Sequence, residues 1–208
     1  MTQTTFCHNK VLVLGLGLIG GSLAAALRRT QKHQVWGYDL DASSMQQAQD
    51  QAVIDHQVVD LVATLSHMDV VVLAVPVKAM EKVMAMVAPH IGANTLLTDV
   101  GSVKGSIIAA AYDIFTIPPA GFVPGHPIAG SERSGINAVN IDLFVDHKFI
   151  ITPLPSSHPQ AIAVLADLWS GIGCEILTME VERHDEVLAA TSHLPHLLAF
   201  SLVDTLAS

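Results

Sequence analysis

Polar and apolar positions along this chain alternate in blocks. Apolar runs of a few residues give way to stretches whose apolar positions recur at helical spacing, and the alternation repeats from Val11 to Leu177. The runs predict strands at Val11–Leu14, Gln34–Tyr38, Val70–Ala74, Leu96–Thr98, Gly121–Val123, Lys148–Thr152 and Glu175–Leu177. The stretches between predict helices at Gly20–Thr30, Ala42–Gln51, Lys78–Ala88, Lys104–Tyr112 and Pro159–Gly171. Strands that alternate with helices imply an α/β domain with a mostly parallel sheet and crossover helices. Val70–Val75 is apolar without interruption, as a strand buried on both faces should be, and Pro76 stops it. Past Thr178 only helical spacing remains: Met179–Ser192 reads as one helix, and Pro195 suits the first turn of another. Leu194, Leu197, Leu198, Leu202 and Leu206 give that last segment an apolar face, unfavourable in water at about 25 cal/mol per Å².

The first strand runs straight into glycines. Gly15, Gly17 and Gly20 fit the G-x-G-x-x-G spacing between a strand and a helix. Gly15 permits the tight turn, Gly17 leaves room for a pyrophosphate, and Gly20 lets helix and strand approach closely. The helix N-terminus then aims free N–H groups at the phosphates. Leu18 and Ile19 sit inside this loop and join the expected cofactor contacts. Asp39 ends the second strand about 20 residues after Gly20, where an acid is expected to hydrogen-bond the ribose hydroxyls. No Lys or Arg follows it until Lys78, so a 2′-phosphate lacks a nearby cation and NAD is favoured over NADP. A doubly wound Rossmann-type domain follows for residues 1–178, with 179–208 beginning an all-helical C-terminal domain. Val75 and Pro76, at a strand's carboxyl end, are expected to line the cofactor cleft.

Bulk properties narrow the partners. The formal charge is −9 with no basic cluster, which argues against nucleic acid and anionic membrane. Val11–Leu27 and Val187–Val203 carry little charge, but both fall short of a membrane span and are interrupted by glycine, or by Ser, His and Pro. Cys7 and Cys174 suggest neither a metal site nor a disulfide framework, and the first ten residues carry no targeting pattern, so a cytoplasmic location is expected.

Three further segments carry candidate chemistry. In Thr98–Lys104 (TDVGSVK), Ser102 either caps the following helix or turns its hydroxyl into the cleft; Lys104 reads as a solvated helix residue. In Gly125–Glu132 (GHPIAGSE), two glycines and a proline around His126 suggest a shaped loop, neither helix nor sheet surface. Its imidazole, with an ordinary pKa of ~6.5, suits proton acceptance from a substrate hydroxyl; capping a loop carbonyl is the alternative. Glu132 is either a gate to the cleft or a surface acid. In Ser192–His196 (SHLPH), His193 and His196 stand at i, i+3; no further ligands complete a metal set, so a polar pair facing substrate is expected, and no metal.

Together GLGLIGGS at Gly15–Ser22, AVP at Ala74–Pro76, DVGSVK at Asp99–Lys104, GHPIAGSE at Gly125–Glu132 and ERHDEVLAATSHLPH at Glu182–His196 resemble the prephenate dehydrogenase family, which includes arogenate and cyclohexadienyl dehydrogenases. A wider resemblance is to 6-phosphogluconate-dehydrogenase-like Rossmann enzymes with helical C-terminal domains. The family resemblance implies NAD-dependent oxidative decarboxylation of prephenate or arogenate in tyrosine biosynthesis. It implies that His126 takes the C4 hydroxyl proton, that Ser102 orients His126 or that hydroxyl, and that His196, His193, Ser131 and Glu132 lie on the substrate side. It also implies a homodimer formed through the helical C-terminal region, and an arginine there for the substrate carboxylate. This sequence holds no Arg beyond Arg183, so either 179–208 is a shortened form of that domain or another group binds the carboxylate, and weak substrate binding or no activity is expected of these 208 residues alone. Two other readings fit the glycine loop. One is a related oxidoreductase acting on a hydroxy acid or imine, which needs no GHPIAGSE segment. The other is a non-catalytic NAD-binding module, which the set Ser102, His126 and His196 disfavours.

Overall fold

The structure is a computed structural model that describes residues 5–193 and positions 203 and 205. Strands β1 (Lys10–Leu14), β2 (Gln34–Tyr38), β3 (His56–Gln57), β4 (Val70–Leu73) and β5 (Leu96–Asp99) pair in parallel in the order β3-β2-β1-β4-β5. The chain moves outward from β1 to β3, then crosses back over β1 to β4. The strand order therefore reverses between β1 and β4, and their carboxyl ends open the crevice where such sheets bind ligands.

Successive side chains of β1 go to opposite faces, and both faces are covered. Val11 and Val13 join Leu23 and Leu27 of α1 (Leu18–Arg29) in one core. Leu12 and Leu14 join Met80 and Met84 of α4 (Val77–Val87) and Ile107 of α5 (Gly105–Phe115) in the other. The shorter helices α2 (Ala42–Asp50) and α3 (Leu61–Leu65) start where Asp41 and Asp60 accept backbone N–H groups of the first turn.

A second sheet holds β6 (Gly125–Ile128), β7 (Lys148–Ile151) and β8 (Glu175–Thr178), with β6 antiparallel and β8 parallel to β7. Helix α6 (Pro159–Ser170) covers it: the Trp169 ring stacks on Phe149 at 4.0 Å and meets Phe144 edge-on at 5.1 Å. The final described helix is α7 (Val181–Leu188), which passes into a π turn at Ala189–His193. Among the described residues no helix is long and apolar enough to cross a membrane.

The α/β, mostly parallel Rossmann-type architecture is as expected, with differences where tertiary pairing overrides local pattern. The strand expected at Gly121–Val123 is only an isolated bridge from Phe122 to Leu97. The strand begins instead at Gly125 and includes His126 and Pro127, so the expected GHPIAGSE loop is in its first half an edge strand. Pro127, which has no N–H, is tolerated at a sheet edge. The helix expected over Met179–Ser192 divides into α7 and the π turn. The expected Pro195 helix falls outside the described residues.

Candidate active site

The carboxyl ends of β1, β2, β4 and β5, together with β6 and the segment after it, surround a cleft of about 1040 Å³. The glycine turn forms its floor. Gly15 has φ of +98°, and a Cβ there would meet the Ala74 carbonyl. Its N–H donates to the Tyr38 carbonyl at 2.8 Å, fixing the turn to β2. At Gly20 a Cβ would overlap the Gly15 carbonyl and the Ala74 side chain, so α1 lies directly on β1 and β4. At Gly17 a Cβ would meet nothing within 4 Å: the space above this backbone is open. Gly17 is also the N-cap of α1 and supplies no side-chain cap, which leaves the first-turn N–H groups available to an anion.

Asp39, at the end of β2, has one oxygen accepting the Leu16 N–H at 2.8 Å and the other accepting the Asp41 N–H at 2.9 Å. Gly15, Gly17, Leu18, Ile19, Asp39, Val75 and Pro76 all line the cleft, and Gly20 lies beneath it. This cradle of open backbone, uncapped helix N-terminus and acid fits the pyrophosphate and ribose of a dinucleotide.

Ser102 and His126 form the facing wall. Ser102 is half-buried and does not cap α5, whose N-cap is Lys104. Capping passes to a residue far along the chain: the Asp185 carboxylate accepts the N–H groups of Lys104 and Gly105 at 2.9 and 2.8 Å. Lys104 itself departs from expectation. Its side chain is fully buried and donates to the Asp99 carboxylate and to the Gly125 carbonyl, the latter at 2.6 Å. Burial pushes its pKa down, and the Asp99 carboxylate opposes that shift. The pair ties the end of β5 to the start of β6, one residue before His126.

His126 is 8% exposed. Its Nδ1 lies 2.9 Å from Nε2 of His184, a fully buried side chain on α7. His184 Nδ1 lies 2.8 Å from the Asp185 carboxylate. Burial lowers the His184 pKa, and the neighbouring Asp185 offsets this only in part, so the ring is neutral near pH 7. Burial alone would raise the Asp185 pKa; the N–H groups of Lys104 and Gly105 and the His184 ring outweigh it and hold the carboxyl below its ordinary value.

Ser131 and Glu132 are exposed, and the residues lining the cleft at this point are Arg133, Ser134 and Gly135. The backbone of His193 ends the π turn, its side chain is not described, and His196 falls outside the described residues. Among the described residues no group of three His, Cys, Asp or Glu side chains is placed to hold a metal. Sequence reasoning missed Lys104, His184, Asp185 and Arg133. The ERHDEV stretch was the available signal for two of them, because a histidine and an acid stand side by side near the start of an amphipathic helix. A second cleft of about 760 Å³, near the carboxyl end of α1, contains none of the motif residues.

The fold and this cradle define a Rossmann-type, dinucleotide-binding domain. The family described as prephenate dehydrogenase, nucleotide-binding domain, matches residues 23–178, and its dimerization domain matches 180–208. The chain belongs to the prephenate dehydrogenase family. It is 40% identical to the cyclohexadienyl dehydrogenase of Zymomonas mobilis over 97% of this chain and 68% of that protein. It is 34% identical to the Bacillus subtilis prephenate dehydrogenase over 93% of this chain, but spans only 52% of that protein. Among solved structures, prephenate dehydrogenase from A. aeolicus in complex with hydroxyphenyl propionate and NAD+ matches with a TM-score of 0.87 and 35% identity, covering 97% of this chain and 70% of that one. Synechocystis arogenate dehydrogenase matches with a TM-score of 0.84 and 31% identity, over 96% of this chain and 69% of that one.

Proposed function

We propose that the protein uses NAD to oxidise and decarboxylate prephenate or arogenate, forming 4-hydroxyphenylpyruvate or tyrosine, as a cytoplasmic homodimer joined through its helical C-terminal region. The observation that carries this reading is the position of His126 on the wall of the cleft that the glycine turn floors. In this reading residues 1–178 hold the cofactor, and 179–208 begin the part that meets substrate and partner subunit. The break between the matched family domains, after residue 178, supports that division.

NAD, held at the glycine turn and Asp39, would supply the hydride acceptor for C4 of the substrate. The chain's own residues place the reactants and manage one proton. The α1 N-terminus and Asp39 hold the pyrophosphate and ribose. His126 Nε2 takes the proton of the C4 hydroxyl, and Ser102 orients His126 or that hydroxyl. Loss of carbon dioxide from C1 sends the electron pair of the broken bond through the ring to the C4 oxygen, which takes the proton back from His126; the ring becomes aromatic, the reaction is strongly downhill, and the protein's part is alignment and holding that proton. His193, His196, Ser131 and Glu132 serve the substrate's polar side. Arg133 adds a cation on the cleft wall for an anionic group.

The test follows NADH absorbance with prephenate, arogenate and several hydroxy acids, for the wild type and His126→Asn. Turnover restricted to the cyclohexadienols, and lost in H126N with NAD affinity nearly intact, supports the reading. Preferential oxidation of a hydroxy acid, or equal loss of NAD binding in H126N, refutes it.

A further inference from the structure

Resting on the proton-acceptor role for His126, we infer that His184 and Asp185 are positioning residues that fix the tautomer of His126 through a chain of two hydrogen bonds. Each link follows from the one before it. The Asp185 carboxylate can only accept, and it already accepts two backbone N–H groups at the start of α5. At 2.8 Å from it, His184 Nδ1 must therefore carry a hydrogen and donate. A neutral imidazole has one N–H, so His184 Nε2 is left with a lone pair. At 2.9 Å from that lone pair, His126 Nδ1 must in turn donate. The hydrogen of neutral His126 is then on Nδ1, and Nε2 is the nitrogen with an acceptor lone pair.

The burial of His184 agrees with this order. His184 is enclosed by His126 on β6, Asp185 on its own helix, and the buried Lys104–Asp99 pair between β5 and α5. Burial, helped by the Lys104 cation, disfavours a second proton on His184 and outweighs the Asp185 and Asp99 carboxylates, which favour one. When His126 takes a proton at Nε2, it keeps its Nδ1–H on His184, and the Asp185 carboxylate stabilises the new cation across the neutral ring. No proton needs to pass to Asp185.

The arrangement gives α7 a part in the chemistry. Asp185 binds the α5 N-terminus and, through His184, the ring of His126. A displacement of α7 relative to α5 would release the tautomer while leaving the nucleotide cradle of β1, β2 and β4 intact. The residues that set the acceptor thus lie in the segment matched by the dimerization domain, whereas the acceptor itself lies in the nucleotide-binding part.

The direct test is nitrogen-15 chemical shifts of the histidine rings in the wild-type protein, with His126 assigned by its loss in H126N. The expected result is His126 protonated at Nδ1 near pH 7; an Nε2–H tautomer overturns the inference with no variant needed. The second arm is Asp185→Asn. Its amide can donate to His184 Nδ1 and so reverse both rings, placing the His126 hydrogen on Nε2. The expected outcome is the opposite His126 tautomer, a fall in kcat on the order of 10²- to 10⁴-fold, an altered pH profile, and little change in NAD affinity. Asp185→Glu, which restores a carboxylate, should recover part of kcat. If Asp185→Asn does not fold, His184→Gln takes its place, with the pH profile of kcat as readout. Should H126N abolish turnover while D185N keeps the wild-type tautomer, kcat and pH profile, the relay fails and the function stands. Should H126N itself retain turnover, the proton-acceptor reading fails first.

Discussion

Asp39 grips the turn beside it: one carboxylate oxygen accepts the Leu16 N–H at 2.8 Å, inside the G-x-G segment. The acid that would meet the ribose therefore also shapes the loop that would meet the pyrophosphate. The two contributions can be separated. In Asp39→Ala both are lost, and stability should fall by about 1.5 kcal/mol, the low end for a hydrogen bond to a charged group. In Asp39→Asn the side-chain oxygen can still accept from Leu16, so the melting transition should stay close to wild type. NAD affinity should drop in both, by roughly tenfold or more. Calorimetric titration beside thermal unfolding reads the two effects, and equal NAD affinity in D39N and wild type contradicts the ribose role.

The glycines of the turn should respond differently to the same added methyl group. Gly20→Ala places a Cβ against the Gly15 carbonyl and Ala74, which can yield only if α1 lifts from the sheet. A loss of about 1–3 kcal/mol in urea unfolding is expected, as for an overpacked core. Gly17→Ala meets no protein atom within 4 Å, and its φ of −70° suits alanine. Its stability should shift by less than about 1 kcal/mol, the scale of a weakened N-cap. Its NAD affinity should fall at least tenfold, because the methyl group enters the space above the turn. Unchanged NAD binding in G17A would place the pyrophosphate elsewhere.

What could be read ahead of the structure follows from how local each signal is. The strand at Gln34–Tyr38 and the helix near Gly20–Thr30 are set by their own apolar periodicity, and both stand where expected. The glycine turn and Asp39 are legible because the fingerprint ties spacing to one supersecondary unit, and Val75 and Pro76 because they follow the carboxyl end of an uninterrupted apolar strand. His126 lines the cleft, but its backbone is an edge strand and not the loop that its glycines and proline suggest. GHPI has no strand-like alternation, and its extended form comes from pairing with Phe149 and Ile150 on β7. Lys104 has the sequence pattern of a solvated helix residue; its burial depends on Asp99 and on the Gly125 carbonyl, contributed by two other segments. His184 is not legible for the same reason: besides Asp185 next to it on α7, its partner is His126 on β6, a distant segment. β3 and α3 are too short to impose a period on the sequence.

The buried Lys104–Asp99 pair should be costly to break from one side only. Lys104→Met leaves the Asp99 carboxylate in a dry interior without its cation, and a loss of about 3–5 kcal/mol is expected. Adding Asp99→Asn removes the uncompensated charge, so the double variant should be more stable than K104M alone. Urea unfolding of the two single variants and the double variant completes a cycle whose coupling term isolates the pair. A double variant less stable than K104M would show that the cost comes from the lost Gly125 contact or from packing, and not from the stranded charge.

Acid should weaken the fold before any carboxylate of ordinary pKa titrates, and His184 should be a principal cause. Its folded pKa lies below the unfolded value of ~6.5, because burial disfavours the imidazolium. Between those two values the unfolded chain binds more protons than the native one, so stability rises with pH there. The contribution is complete above about pH 6.5 and is lost as the pH falls toward the folded pKa. His33, also held low by burial, acts with the same sign. Asp185, held low by the N–H groups of α5 and by His184, adds a further loss at lower pH, below the ordinary aspartate value of 3.8. The denaturation midpoint should therefore decline as the pH is taken from 7 to 5. In His184→Gln, which does not titrate, the slope over this interval should be shallower, whatever the variant's absolute stability. An unchanged slope in H184Q would mean that the imidazole protonates in the folded state as readily as in the unfolded chain, contrary to its enclosed position between His126 and Asp185.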